Sequence, residues 1–174
     1  ANNGLRIQEF MIRPDKAKSF SEAMRICFLV IQSLRDLIKK KKLSTSVGDE
    51  GGFAPMISSN EQALDLIVLA ISKSGFKNGK DVSICLDVAA NELYKKGNYS
   101  IHSKNFVSVE KSIIEYKKII HKYKIKSLED PFSEDDWISW NKLMKSTNGI
   151  QIVGDDLFVT NLERLKKGFL SNSA

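Results

Sequence analysis

The sequence predicts an α/β fold built from βαβ units, and three observations predict it. Short apolar runs alternate with longer segments of helical period, the longer segments open on polar capping residues, and the short runs close on acids. Strands that alternate with helices imply parallel strands joined by helical crossovers. A chain of 174 residues fits one domain and can bury about two thirds of the surface its unfolded form exposes.

The elements follow in order. LRIQEFMI, residues 5 to 12, is strand-like. Ser19 and Glu22 form a capping box for a helix to about Lys41, whose apolar face carries Ala23, Ile26, Cys27, Val30, Leu34, Leu37 and Ile38. Ser59 and Gln62 open a second helix, with Ala63, Leu66, Ile67, Ala70 and Ile71 inward, and Gly75 stops it. VSICLD, 82 to 87, reads as a strand. Ser108 caps a helix bearing Ile113, Tyr116, Lys117 and Ile120, and IKSLED, 125 to 130, is the next strand. Ser133 is expected to cap a helix with Trp137, Trp140 and Leu143 inward, IQIVGDD is a strand from 150, and Thr160 with Glu163 boxes the last helix. Residues 95 to 105 read as the only long irregular link.

Charged residues make up 28% and hydrophobic ones 42%, the balance of a globular chain. The net charge of +6 comes from dispersed lysines. The densest run, Lys39 to Lys42, follows a helix whose dipole favours cations there. No basic stripe interleaves with aromatics, so nucleic acid is not an expected partner. Cys27 and Cys85 sit in apolar runs and read as free thiols of a reducing compartment. No charged leader opens the chain and no apolar run reaches about 18 residues, so a cytoplasmic protein without a membrane span is expected.

The strand ends carry the chemistry. Asp87, the pair Glu129 and Asp130, and the pair Asp155 and Asp156 close successive strands, and the C-terminal ends of parallel barrel strands face one mouth. Converging carboxylates repel each other unless a cation sits among them. With no His or Cys beside them, an all-oxygen set selects a hard cation, Mg²⁺ first and Mn²⁺ or Ca²⁺ after. Taken singly, Asp156 also reads as turn chemistry and Glu129-Asp130-Pro131 as a Pro-fixed strand terminus. VGDEGGFAP, 47 to 55, brings Asp49 and Glu50 to the same mouth on a glycine-rich loop, or else decorates a surface turn. Gln8 and Glu9 interrupt an apolar strand and need a polar cavity. Acids beside a metal suit proton abstraction next to a carboxylate through an enolate, although phosphoryl transfer would use a similar triad.

Five motifs, IQEFMI with Pro14, VGDEGGFAP, LDVAANELY, SLEDPFSEDDW and VGDDLFVTN, resemble in order and spacing those of enolase, the glycolytic phosphopyruvate hydratase, over essentially the whole chain. The resemblance implies a partial (β/α) barrel and a lyase that dehydrates 2-phosphoglycerate to phosphoenolpyruvate. It implies Mg²⁺ ligands at Asp87, Glu129 and Asp155, and a proton donor to the departing hydroxyl at Glu50. Glu9 would be the second acid of the catalytic pair, and Gln8, Glu9, Glu129 and Asp155 would contact substrate. Asp49 and Asp156 would support their neighbours, and the complete protein would be a homodimer.

The family's proton-abstracting lysine lies on a later strand, and its smaller N-terminal lid domain and pocket histidine precede Ala1. Residues 1 to 174 are therefore expected to be a central barrel segment, truncated at both ends and incomplete alone. Lys126, Lys77 and Lys80 stand at the wrong positions to replace the base. Two other readings are a non-catalytic fragment, acting as a binding module or surviving as a decayed gene product, and another Mg²⁺-dependent barrel enzyme. The length of the motifs speaks against the latter.

Overall fold

The computed structural model describes residues 4–48 and 50–174. Strand β1 (Glu9–Arg13) leads into helices α1 (Phe20–Lys40) and α2 (Asn60–Lys73), then strand β2 (Ser83–Asp87) and a 3-10 turn at Ala90–Leu93. Three two-residue strands follow, β3 (Tyr94–Lys95), β4 (Asn98–Tyr99) and β5 (Val107–Ser108). Helix α3 (Val109–Tyr123), strand β6 (Ile125–Glu129), helix α4 (Trp137–Ser146), strand β7 (Gln151–Val153) and helix α5 (Leu162–Ser171) complete the chain. None of these helices is long and apolar enough to cross a membrane.

The main sheet has the order β1-β2-β6-β7 and is open rather than closed into a barrel. β2, β6 and β7 are parallel, as expected, but β1 runs antiparallel to β2. This corrects the expectation of parallel units throughout. One helix returns the chain to the end where its strand began, whereas the two helices α1 and α2 carry it across the molecule twice, so β2 starts where β1 stopped.

Register divides the sheet into a core face and a site face. Phe10 pairs with Leu86, Leu86 with Leu128 and Leu128 with Ile152, an apolar row facing the helices. This row joins Leu64, Ile67 and Ile71 of α2, Tyr116 and Ile119 of α3, and Trp140 and Leu143 of α4 in one core. On the other face Met11 pairs with Cys85, Cys85 with Ser127 and Ser127 with Gln151, a methionine followed by small or polar groups beneath a row of acids. Cys85 is buried, Cys27 half-buried, and both are free thiols.

Capping explains three helix starts. Ser19 Oγ accepts from Glu22 N at 3.2 Å while Glu22 Oε2 accepts from Lys18 N at 2.9 Å. Ser59 Oγ accepts from Gln62 N at 3.2 Å, and Ser108 Oγ from Lys111 N at 3.4 Å. The other two starts differ from expectation. Asp136, not Ser133, caps α4 through Ser139 N at 3.3 Å. Ser133 lies a turn earlier, its carbonyl accepting from Asp136 N at 2.9 Å and Trp140 Nε1 at 3.1 Å. Asn161, not Thr160, caps α5 through Glu163 N at 2.9 Å and Arg164 N at 3.2 Å. Thr160 has φ 58°, outside the extended conformation a cap residue adopts.

The stretch 95 to 105 is not wholly irregular. β3 and β4 form a hairpin whose turn residues Lys96 and Gly97 have φ 48° and 79°, the paired positive values of a type I′ turn, and β5 adds a third strand.

Candidate metal and proton-transfer site

The acid row follows from the register. Glu9, first residue of β1, pairs with Asp87, last residue of β2, and Asp87 pairs with Glu129, last residue of β6. Because β1 is antiparallel, its beginning meets the ends of the parallel strands. Gln8 Nε2 donates to Asp87 Oδ2 at 3.5 Å, and Ala89 N donates to Asp87 Oδ1 at 3.0 Å. Glu129 pairs with Val153, the last residue of β7, and Asp155 stands two residues on, in the bend that follows.

Glu50 reaches this row from the loop between α1 and α2. Val47 bridges Phe53, Gly48 N donates to the Gly52 carbonyl at 2.8 Å, and Gly51 N to the Gly48 carbonyl at 2.9 Å. Gly51, next to Glu50, has φ 84°, a left-handed value that glycine adopts without penalty. The Arg35 guanidinium stands 5.6 Å from the Phe53 ring centre and fastens the loop to α1.

Crowding moves the proton affinities. A hydrogen bond with Glu50, burial, and the charges of Glu50, Asp87 and Glu129 push Glu9 up to about 7. Burial, then the like charges of Asp130, Asp156 and Asp155, raise Asp87 to about 6 against the lowering effect of the Ala89 N–H. Burial and the charges of Asp87, Asp130, Asp155 and Asp156 raise Glu129.

Asp130 plays a different part. It is 3% exposed, and its carboxylate accepts from Asp156 N at 2.9 Å, Asp155 N at 3.2 Å and Leu157 N at 3.4 Å, while its own N–H donates to the Val153 carbonyl at 3.0 Å. Asn91 Nδ2 donates to Asp156 Oδ2 at 3.1 Å and to Glu134 Oε2 at 3.3 Å. Arg164 Nε donates to the Leu157 carbonyl at 2.5 Å, and its guanidinium lies 5.1 Å from the Trp137 ring centre.

Glu9, Glu50, Asp87 and Glu129 thus meet, with Gln8 at the edge of Asp87. Carboxylate oxygens of Asp87, Glu129 and Asp130 lie within 4.8 Å of one another, as do those of Asp130, Asp155 and Asp156. Asp155 belongs to the second group and couples electrostatically to Asp87 and Glu129. Asp49 lies outside the described residues. The clamp made by Asp130 and the tie made by Asn91 have no sequence signature, since their partners are backbone amides and a distant carboxylate.

The donor set fits a hard divalent cation. Every group is a carboxylate, and a positive charge among them would offset the repulsion that raises Asp87 and Glu129.

A family model described as the C-terminal TIM barrel domain of enolase matches residues 1–174. A curated protein named enolase from Pelagibacter ubique (strain HTCC1062) is 81% identical over 174 residues, which are 100% of this chain and 42% of that relative. The chain therefore spans less than half the length of the curated relative it matches.

Proposed function

The chain belongs to the enolase family through its C-terminal barrel domain, and on that premise we propose that it forms part of a Mg²⁺-dependent lyase of glycolysis. The reaction is the dehydration of 2-phosphoglycerate to phosphoenolpyruvate through an enolate. One observation carries the reading: acids from three adjacent strands stand in register at one end of the sheet, with Glu50 against Glu9.

Asp87, Glu129 and Asp155 would hold the cation. Mg²⁺ bound there supplies positive charge against the negative charge that develops on the substrate carboxylate. Glu50 donates a proton to the hydroxyl as it leaves. Glu9 suits it as a partner, because its affinity of about 7 lets the pair retain a proton near neutral pH. Gln8 orients Asp87 and, with Glu9, lines the substrate pocket.

The lysine that abstracts the substrate proton comes, in this reading, from outside residues 1–174, together with the lid domain and the remaining strands. The complete protein is a cytoplasmic homodimer, a location in keeping with two free thiols. In the complete protein Asp155→Ala is expected to abolish Mg²⁺-dependent phosphoenolpyruvate formation, and retained turnover would overturn that ligand assignment. Glu50→Gln should bind Mg²⁺ as the parent does in calorimetry yet fail to dehydrate. A 174-residue chain that turned over alone would place the base within it, against this reading.

A further inference from the structure

Asp130 stands one residue beyond Glu129, and while its carbonyl accepts from Ala90 N at 3.1 Å, its carboxylate and its N–H are bonded to the end of β7 and the turn that follows it. Its two carboxylate oxygens take three consecutive amides, those of Asp155, Asp156 and Leu157, and its N–H takes the last carbonyl of β7, that of Val153. It is 3% exposed and holds φ 41°, a left-handed value that Asp tolerates better than most residues. Three amides aimed at one buried carboxylate fix a peptide segment as a helix cap does, and they take up three of its roughly four acceptor sites. We propose that Asp130 is a positioning residue that sets the angle of the Asp155 loop toward Asp87 and Glu129, and so governs cation affinity without itself being a ligand. The inference rests on the metal reading above.

Asp130→Asn is nearly isosteric but removes one acceptor. The amide Oδ1 can still accept from Asp155 N and Leu157 N, whereas Nδ2 then opposes Asp156 N–H, donor against donor. Residues that orient a ligand typically cost about 10- to 100-fold in metal affinity when changed. In the complete protein, calorimetric titration with Mg²⁺ should show Asp130→Asn weakened by about that factor, with kcat recovering at saturating Mg²⁺ because the ligands remain. A purely structural role would lower thermal stability and leave Mg²⁺ affinity unchanged, which overturns the proposal. Turnover that no Mg²⁺ concentration restores would make Asp130 a ligand and overturn it equally. Asp155→Ala, titrated in parallel, separates the two readings: if it binds Mg²⁺ normally, the metal assignment has failed. Should Asp130→Asn not fold, amide exchange in the unmodified protein decides. The Asp155, Asp156 and Leu157 amides are expected to be protected, and free exchange at all three would overturn the clamp.

Discussion

Glu9 keeps its proton to about pH 7 beside Glu50, and Asp87 keeps its own to about 6, both far above ordinary carboxylates. A group that binds its proton more tightly when folded favours the folded state at low pH, and that advantage is lost as pH rises through the folded value. The metal-free protein should therefore lose stability between pH 4.5, the ordinary value for Glu9, and about 7. Urea denaturation at intervals across that window should show a falling midpoint, a flatter profile for Glu9→Gln, and restoration by Mg²⁺ at the upper end. A midpoint that rises with pH would mean that Glu9 is not held against Glu50. Glu9 and Glu50 were legible in the sequence because acid in an apolar or glycine-rich stretch is out of keeping with its surroundings. Asp130 was legible as a strand-end acid, but its clamp and the tie made by Asn91 were not, because they depend on partners 25 and 65 residues away.

Helix α5 is seated by an aromatic ring between two glycines. A methyl group at Gly168 would lie 2.4 Å from Phe158 Cε1, and one at Gly154 would lie 3.0 Å from Phe158 Cε2. Gly168→Ala should consequently cost about 1–3 kcal/mol through overpacking, read as a lower denaturation midpoint at unchanged slope. An unaltered midpoint would mean that the ring moves aside freely. Elements with a hydroxyl cap and a long apolar stripe, α1 to α3, were readable from sequence because cap and stripe agree. The starts of α4 and α5 were not, since Ser133 and Thr160 also carry hydroxyl cap chemistry; Ser133 lies a turn too early, and Thr160 has the left-handed backbone that a cap does not adopt. The hairpin of β3 and β4 escaped because two-residue strands carry no alternation, and its Lys96-Gly97 turn is masked by neighbouring lysines.

Across the molecule, β1 and β7 each have one strand neighbour among the described residues, and apolar side chains remain exposed on the helices, most of them on α1 and α5. Phe20, Met24 and Phe28 of α1 are 81%, 55% and 60% exposed, and Phe169 and Leu170 of α5 are 84% and 83% exposed. Unpaired edges beside such surface favour association. The isolated chain of 19.6 kDa should scatter light as a larger species and bind an apolar dye; a monodisperse, dye-free monomer would refute this. Fold class was legible from the alternation of elements; the antiparallel first strand follows from the two helices that the sequence already places between it and VSICLD, which the expectation of parallel units throughout did not take into account. That reversed strand also bears on the order of assembly. The Gln8–Asp87 contact spans 79 residues, Asn91–Glu134 spans 43 and Asp130–Asp155 spans 25. Loop closure over the longest span costs about 1 kcal/mol more than over the shortest. Pulse-labelled amide exchange during refolding should find β2, β6 and β7 protected before β1. A nascent molecule would then gather its cation-binding acids first, and the pair that moves the proton would be completed last, when β1 docks.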